Sequence, residues 1–181
     1  MQQSLTIVPG STKKWFWFFL VLTCLAAVLM KVIVGGLSTS TIIDFEIAKT
    51  VDRANLIMSN WAATDRELFL RSVYADFLFI IGYTGTLFFG SRYFGRLSRH
   101  MVFKKAGYFF SWLALIAGCC DVLENIAMLF TVKNHPVGWI VHFTYDMAVS
   151  KFSLIFIVVF FMIISLFFRF LSGKEYSLAE R

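Results

Sequence analysis

Four long apolar stretches dominate this sequence, at residues 15–34, 70–93, 106–132 and 150–171. Each has at least the roughly 20 residues that a helix needs to cross the hydrocarbon core of a bilayer. In lipid every backbone N–H and C=O group has to be bonded within the chain, which favours helices. The chain has 181 residues, of which 59% are hydrophobic. We therefore expect an all-α polytopic membrane protein, in which one domain forms a four-transmembrane-helix bundle.

The segment between the first two stretches has a different pattern. Its apolar residues recur at helical spacing over residues 42–61, with charged residues between them. This pattern predicts an amphipathic helix on the extracytoplasmic side, lying on the membrane surface or capping the bundle. An extramembrane helix packed on its own protein is the alternative. The sequence Thr64-Asp65-Arg66-Glu67 fits a capping box and predicts that the next helix starts at Thr64.

Basic residues set the expected orientation. They are concentrated before the first stretch, in residues 92–105 and after residue 169, and these segments are expected in the cytoplasm. Both termini are then cytoplasmic, in a multi-pass protein of the plasma membrane. The net charge of +6 is interpreted as orientation and contact with membrane lipids, since no nucleic-acid-binding motif is present.

One charged residue in each apolar stretch lies at nearly the same depth. Counted from the basic flank at about 1.5 Å per residue, Lys31, Asp76, Asp121 and Lys151 all lie roughly 24–27 Å into their spans. Charges inside hydrocarbon are costly and usually functional. The sequence therefore predicts a layer of two acids and two bases just inside the outer leaflet.

Further polar residues extend this layer outward. The i, i+3 and i+4 spacing places Glu124 and Asn125 on the same helical face as Asp121. On an unbroken fourth helix Lys151 would point roughly 180° away from His142, at about 100° per residue. Either Lys151 faces a different neighbour or the helix is interrupted, and we expect residues 138–148 to form a protruding or surface part.

The function expected from this layer is binding, and in an extended form transport, of a polar or amphipathic ligand that resembles a lipid headgroup. The lysines would hold an anionic group, and the remaining side chains would bind hydroxyls or amines. Four spans without an internal repeat are few for a transporter, so transport would require a homo-oligomer. The candidate ligand-binding residues are Asp76, Asp121, Glu124, Asn125, Lys31, Lys151, Tyr83, His142 and Asp146.

Three alternatives stay open. His142 and Asp146 with Asp121 and Glu124 have the ligand types of a metal site in a membrane-interface enzyme. No His-Glu-x-x-His or Gly-x-Ser-x-Gly motif accompanies them, and the sequence identifies no cofactor and no metal. The layer could instead be an internal ion-pair network that fixes helix register. A structural or accessory subunit is the third alternative, with span glycines allowing close helix approach.

The motif Asp121-x-x-Glu124-Asn125 in the third span, followed by Lys151-Phe152 at the start of the fourth, supports a resemblance. It resembles a pattern of small uncharacterised bacterial four-span membrane proteins, over roughly the last 70 residues of the chain. The resemblance implies a protein of the bacterial inner membrane and brings no activity with it.

Overall fold

The computed structural model describes residues 10–35, 38–98 and 100–179, with side chains described up to residue 171 apart from those of residues 34 and 39. All regular secondary structure in these residues is helical. The helices are α1 (Gly10–Val34), α2 (Thr39–Glu46), α3 (Val51–Ser59), α4 (Ala63–Leu97), α5 (Met101–Lys133) and α6 (Gly138–Ala179).

Four of these helices are long and apolar enough to cross a membrane, which confirms the predicted four-span, all-α fold. The candidate spans are Gly10–Ile33, Ala63–Leu97, Met101–Lys133 and Gly138–Leu171. All four are longer than the apolar stretches that predicted them. The predicted bounds followed hydropathy, whereas the helices continue through the polar turns at their ends because backbone hydrogen bonding does not require apolar side chains.

Residues 42–61 form two short helices, so the predicted single amphipathic helix is wrong. The first helix ends at Glu46, with Ile47 as its C-cap, and the chain then turns at Lys49, which has a positive φ of 58°. The hydroxyl of Thr50 then accepts a hydrogen bond from the Arg53 N–H at 3.3 Å and starts α3. The apolar residues keep a regular helical spacing across this break, so their pattern does not indicate it. Thr50 functions as a helix cap and not as a mid-helix residue.

The two short helices pack on the bundle, as in the alternative interpretation of this segment. Their buried residues Phe45, Ala48, Ala54 and Ile57 join residues of α4, α5 and α6 in one apolar cluster. Ile43 and Ile47, which were assigned to the apolar face, are exposed. The α2–α3 segment therefore covers one end of α4, α5 and α6.

The start of α4 also differs from the prediction. The helix begins at Ala63, and the carboxylate of Asp65 accepts a hydrogen bond from the Ala62 N–H at 3.0 Å. Thr64 and Glu67 thus do not form the predicted capping box. Aspartate reaches the preceding N–H from the third helical position, so the N-cap is Ala62, two residues before the predicted N-cap Thr64.

The spans are arranged as a three-helix core with one peripheral helix. Helices α4, α5 and α6 pack against each other, whereas α1 packs mainly along α4. Two apolar clusters fill the core. The first contains Phe69, Met128 and Val141 beneath α2 and α3, and the second contains Ile80, Ala114 and Val158 farther along the bundle. Of the polar residues described next, Asp76 of α4 and those of α5 and α6 lie between these two clusters in sequence, whereas Tyr83 of α4 belongs to the second cluster.

Candidate binding site

Lys151 of α6 is the centre of a buried group of charges. Its Nζ donates hydrogen bonds to Asp121 Oδ1 at 2.9 Å and to Glu124 Oε1 at 3.0 Å. The second oxygen of Glu124 lies 2.9 Å from Nζ, and Glu46 Oε2 of α2 lies 3.7 Å away. The lysine is only 5% exposed and Glu124 is fully buried. Three carboxylates from two helices therefore converge on one ammonium group.

Helix α4 completes this arrangement with two further residues. The hydroxyl of Tyr83 donates to Asp121 Oδ2 at 2.7 Å, so both oxygens of Asp121 are bonded. The side-chain amide of Asn125 donates to Asp76 Oδ2 at 2.7 Å. These seven residues form what we call the buried cluster: Glu46, Asp76, Tyr83, Asp121, Glu124, Asn125 and Lys151.

Helix geometry explains why these side chains meet. Positions 121, 124 and 125 lie on one face of α5 because residues three and four apart are neighbours on a helix. Positions 76 and 83 are seven residues apart, about two turns, and share a face of α4. On α6, Ala148 is fully buried one turn before Lys151 and leaves room for the lysine side chain to reach α5.

The charges of the buried cluster do not balance. Among the described residues, four carboxyl groups share a single ammonium group. Buried charges need partners because removing them from water is costly. Burial raises the pKa of Glu46 to about 7, with Asp121 and Asp76 adding to the rise and Lys151 opposing it. The buried cluster therefore holds more carboxyl groups than its one ammonium group can neutralise, and burial favours the protonated form of Glu46.

Six of the nine predicted site residues are brought together here. They are Asp76, Tyr83, Asp121, Glu124, Asn125 and Lys151. The two aspartates and Lys151, which were predicted at one depth, thus lie in one cluster. Lys151 contacts Asp121 directly, whereas Asp76 is hydrogen-bonded to Asn125, a neighbour of Asp121 on α5.

The other three predicted residues lie elsewhere. Lys31 is exposed on α1, which is peripheral to the core. His142 and Asp146 form an exposed pair at 3.0 Å, with 55% and 52% of their side chains accessible. Helix α6 is continuous through this region, so of the two alternatives the interruption is wrong, and Lys151 faces a different neighbour from His142.

The arrangement gives little support to a metal-dependent enzyme. His142 lies on the surface, while Asp121 and Glu124 are buried around Lys151. Within the described ranges no group of three or more His, Cys, Asp or Glu residues is placed to hold a metal ion. Asp121, Glu124 and Glu46 each already pair with the lysine.

Glu46 is the residue of the buried cluster that sequence reasoning missed. It lies in the segment that was predicted to be one amphipathic helix outside the spans. The break after α2 instead directs it to Lys151, and it is only 9% exposed. A usable signal was present, since Glu46 is a single acid between Phe45 and Ile47 in a segment next to the membrane.

Comparison with known proteins adds no family to these observations. The chain matches no protein-family model, no curated protein and no solved structure.

Proposed function

We propose that this protein is a bacterial inner-membrane protein that binds a polar or amphipathic ligand at the buried cluster. The ligand enters from the outer leaflet and carries a positively charged amino group. The observation that supports this proposal is the ratio of four carboxyl groups to one ammonium group among the described residues. A cationic group supplies the charge that the buried cluster lacks.

The contacts of Lys151 favour a cation over an anion. The sequence alone led us to expect that lysines hold an anionic headgroup. Lys151 is engaged by Asp121, Glu124 and Glu46, so an anion would compete with three carboxylates. Asp76 is the most accessible acid of the buried cluster, because it is half-buried and bonded through one oxygen to Asn125. We assign Asp76 as the first contact of the amino group.

The proposed orientation places the buried cluster near the outer surface. The starts of α1 and α5 and the ends of α4 and α6 meet at one end of the bundle, which we call the basic end. Among the described side chains it carries seven basic residues and no acid: Lys13, Lys14, Arg92, Arg96, Lys104, Lys105 and Arg169. The excess of Lys and Arg supports a cytoplasmic location for this end.

Transport is an extension of the same proposal. Helices α2 and α3 cover the buried cluster from the end of the bundle opposite the basic end, and their packing against α6 is limited. Displacing this cover would open the site to the outside. A four-span chain has no second half that could open to the other side, so transport would require a homo-oligomer.

Binding is tested with a simple alkyl amine. Native mass spectrometry of purified protein in mild detergent would be recorded with dodecylamine, and with dodecanol and dodecyl sulfate as uncharged and anionic comparators. We expect one dodecylamine adduct on the wild type. Asp76→Asn should weaken its binding by about tenfold or more, as expected for one charge-assisted hydrogen bond. Glu67→Gln, at an exposed acid of the same helix, should bind like the wild type.

A second candidate function is a structural ion-pair lock between α4, α5 and α6. It is favoured by the complete bonding of Asp121, which accepts from both Tyr83 and Lys151. Asp121→Asn distinguishes the two candidates. A ligand site predicts loss of the amine adduct with the fold retained. A lock predicts no adduct on the wild type and a marked fall in melting temperature for this variant.

A further inference from the structure

Two arginines at the basic end are held by groups from three helices. Arg92 and Arg96 lie one turn apart on α4. Arg92 Nε donates to Ser111 Oγ of α5 at 3.1 Å. Arg96 donates to Thr12 Oγ1 of α1 at 3.1 Å and to the hydroxyl of Tyr108 on α5. All these acceptors are neutral hydroxyl groups, so they orient the guanidinium groups without neutralising them.

Aromatic rings fix the arginines further. The guanidinium carbon of Arg92 lies 4.1 Å from the ring centroid of Phe88 and 5.1 Å from that of Tyr108. Arg96 lies 5.5 Å from the Tyr108 centroid. Stacking on a ring fixes the plane of the guanidinium group, and at its edge the terminal nitrogens of Arg96, which donate to Thr12 and Tyr108, each keep a second N–H for a ligand. The two edges are therefore positioned before any ligand binds.

Neither arginine has an acidic partner in the described part of the chain. The ion pairs found there all involve other residues and lie at the opposite end of the bundle. Arg96 Nε is buried and has no hydrogen-bond acceptor among the described residues. Lys104 and the neighbouring lysines add positive charge. This end of the bundle thus attracts an anion that the described chain does not supply.

We propose that Arg92, Arg96 and Tyr108 form a binding site for the phosphate group of an anionic phospholipid. A guanidinium fork binds phosphate oxygens in a bidentate manner, and two forks one turn apart can contact one phosphate group together. The site lies in the last two turns of a span, where lipid headgroups are found. It is separate from the buried cluster and independent of the function proposed for it.

The surroundings favour a lipid over a soluble phosphate. Phe109 and Trp112 follow Tyr108 on α5 and are 60% and 61% exposed. They provide apolar surface along which acyl chains can lie once the headgroup is bound. Trp15 and Trp17 of α1 are also exposed at this end, as is typical of the membrane interface.

The test uses defined lipids and four variants. Native mass spectrometry would compare dioleoylphosphatidylglycerol, dioleoylphosphatidylcholine and inorganic phosphate on the purified protein. We expect preferential binding of phosphatidylglycerol, and a loss of about tenfold or more in Arg92→Gln/Arg96→Gln. Lys13→Gln/Lys14→Gln removes the same charge from exposed positions and should lose much less.

Two milder variants keep the test informative if the double glutamine variant does not fold. Arg92→Lys/Arg96→Lys preserves the charge but removes the planar forks, and it should bind phosphatidylglycerol more weakly than the wild type. Tyr108→Phe removes the hydroxyl that holds Arg96 and should cause a smaller loss.

Three results would overturn the proposal. The first is equal loss of lipid from the lysine control and the arginine variants. The second is equal binding of phosphatidylcholine and phosphatidylglycerol. The third is arginine-dependent binding of inorganic phosphate without binding of phosphatidylglycerol, which would assign the site to a soluble anion.

Discussion

Glu46 is the only acid of the buried cluster that lies outside the four candidate spans. Its carboxyl group faces Lys151 of α6, Asp121 and Glu124 of α5 and Asp76 of α4. Burial is the main reason that its pKa rises from 4.5 to about 7. The folded protein therefore retains a proton on Glu46 at pH values where the unfolded chain has released it. Its protonation sets the charge of the buried cluster near neutral pH.

The raised pKa of Glu46 predicts a pH-dependent stability. Between pH 4.5 and about 7 the folded state binds more protons than the unfolded state, so stability falls as pH rises through this window. The fall in the free energy of unfolding that Glu46 causes over this window is on the order of 3 kcal/mol at most. Melting temperatures in detergent should therefore fall between pH 5 and pH 8 in the wild type, and fall less in Glu46→Gln.

Glu67→Gln serves as the control for this effect, because Glu67 is 64% exposed and pairs with Arg71 at the surface. This variant should show the same pH dependence as the wild type. Identical slopes in the wild type and Glu46→Gln would mean that Glu46 does not carry the effect.

Sequence spacing predicted some contacts of the buried cluster and missed others for physical reasons. The face shared by Asp121, Glu124 and Asn125 follows from helix periodicity alone. Lys31 was included for its depth, and it lies outside the buried cluster because depth gives no information on which helices are neighbours. His142 was included although its angle on an unbroken helix pointed away from Lys151. Because α6 is continuous, that angle places His142 and Lys151 on different faces of the helix.

Helices α4 and α5 approach each other closely at two glycines. A Cβ atom on Gly107 would lie 2.6 Å from the carbonyl oxygen of Ser91, and one on Gly95 would lie 2.6 Å from that of Phe103. Both obstacles are backbone atoms, which a rotamer change cannot remove. These glycines are used for packing within the chain, so they give no separate support to an accessory subunit.

Gly107→Ala should therefore separate the two helices and destabilise the bundle by about 1–3 kcal/mol, as overpacking does in well-packed interiors. A fall in the melting temperature in detergent would measure it. Gly138→Ala is the matched control, because its Cβ atom would meet only Val51 at 3.9 Å. Equal melting temperatures for Gly107→Ala and the wild type would contradict a rigid close approach.

The presence of the four spans was easier to predict than the short elements between them. Apolar length identifies a span because a helix is the form that bonds its own backbone in lipid. Residues 47–50 lack this constraint, and one left-handed residue with one capping hydroxyl divides the segment into two helices. Periodicity averaged over residues 42–61 cannot detect so local a change.

The two ends of the whole bundle differ in charge, because the basic end has no acid among its described side chains whereas the other half mixes acids with bases. The nine acids with described side chains all lie in the half that contains α2, α3 and the buried cluster. The proposed orientation predicts the labelling of single cysteines placed at Asp52 and Lys105, in a variant without Cys24, Cys119 and Cys120. A membrane-impermeant maleimide should label Asp52→Cys on intact cells.

Lys105→Cys should react only after the membrane is permeabilised, because it lies at the basic end. The reverse pattern would invert the topology and place the buried cluster near the cytoplasm. Labelling at both positions on intact cells would show that the cells leak, and the permeability control with the parent variant would reveal this.

The strongest packing partners of every span are its neighbours in the sequence, since α1 pairs with α4, α4 with α5 and α5 with α6. During synthesis each span can therefore meet its main partner as soon as it leaves the insertion machinery. The buried cluster is an exception, because Asp76, Asp121 and Glu124 enter the bilayer before Lys151 has been translated. The last span thus completes the site, and a ribosome that stalls before α6 leaves three acids in the membrane without their lysine.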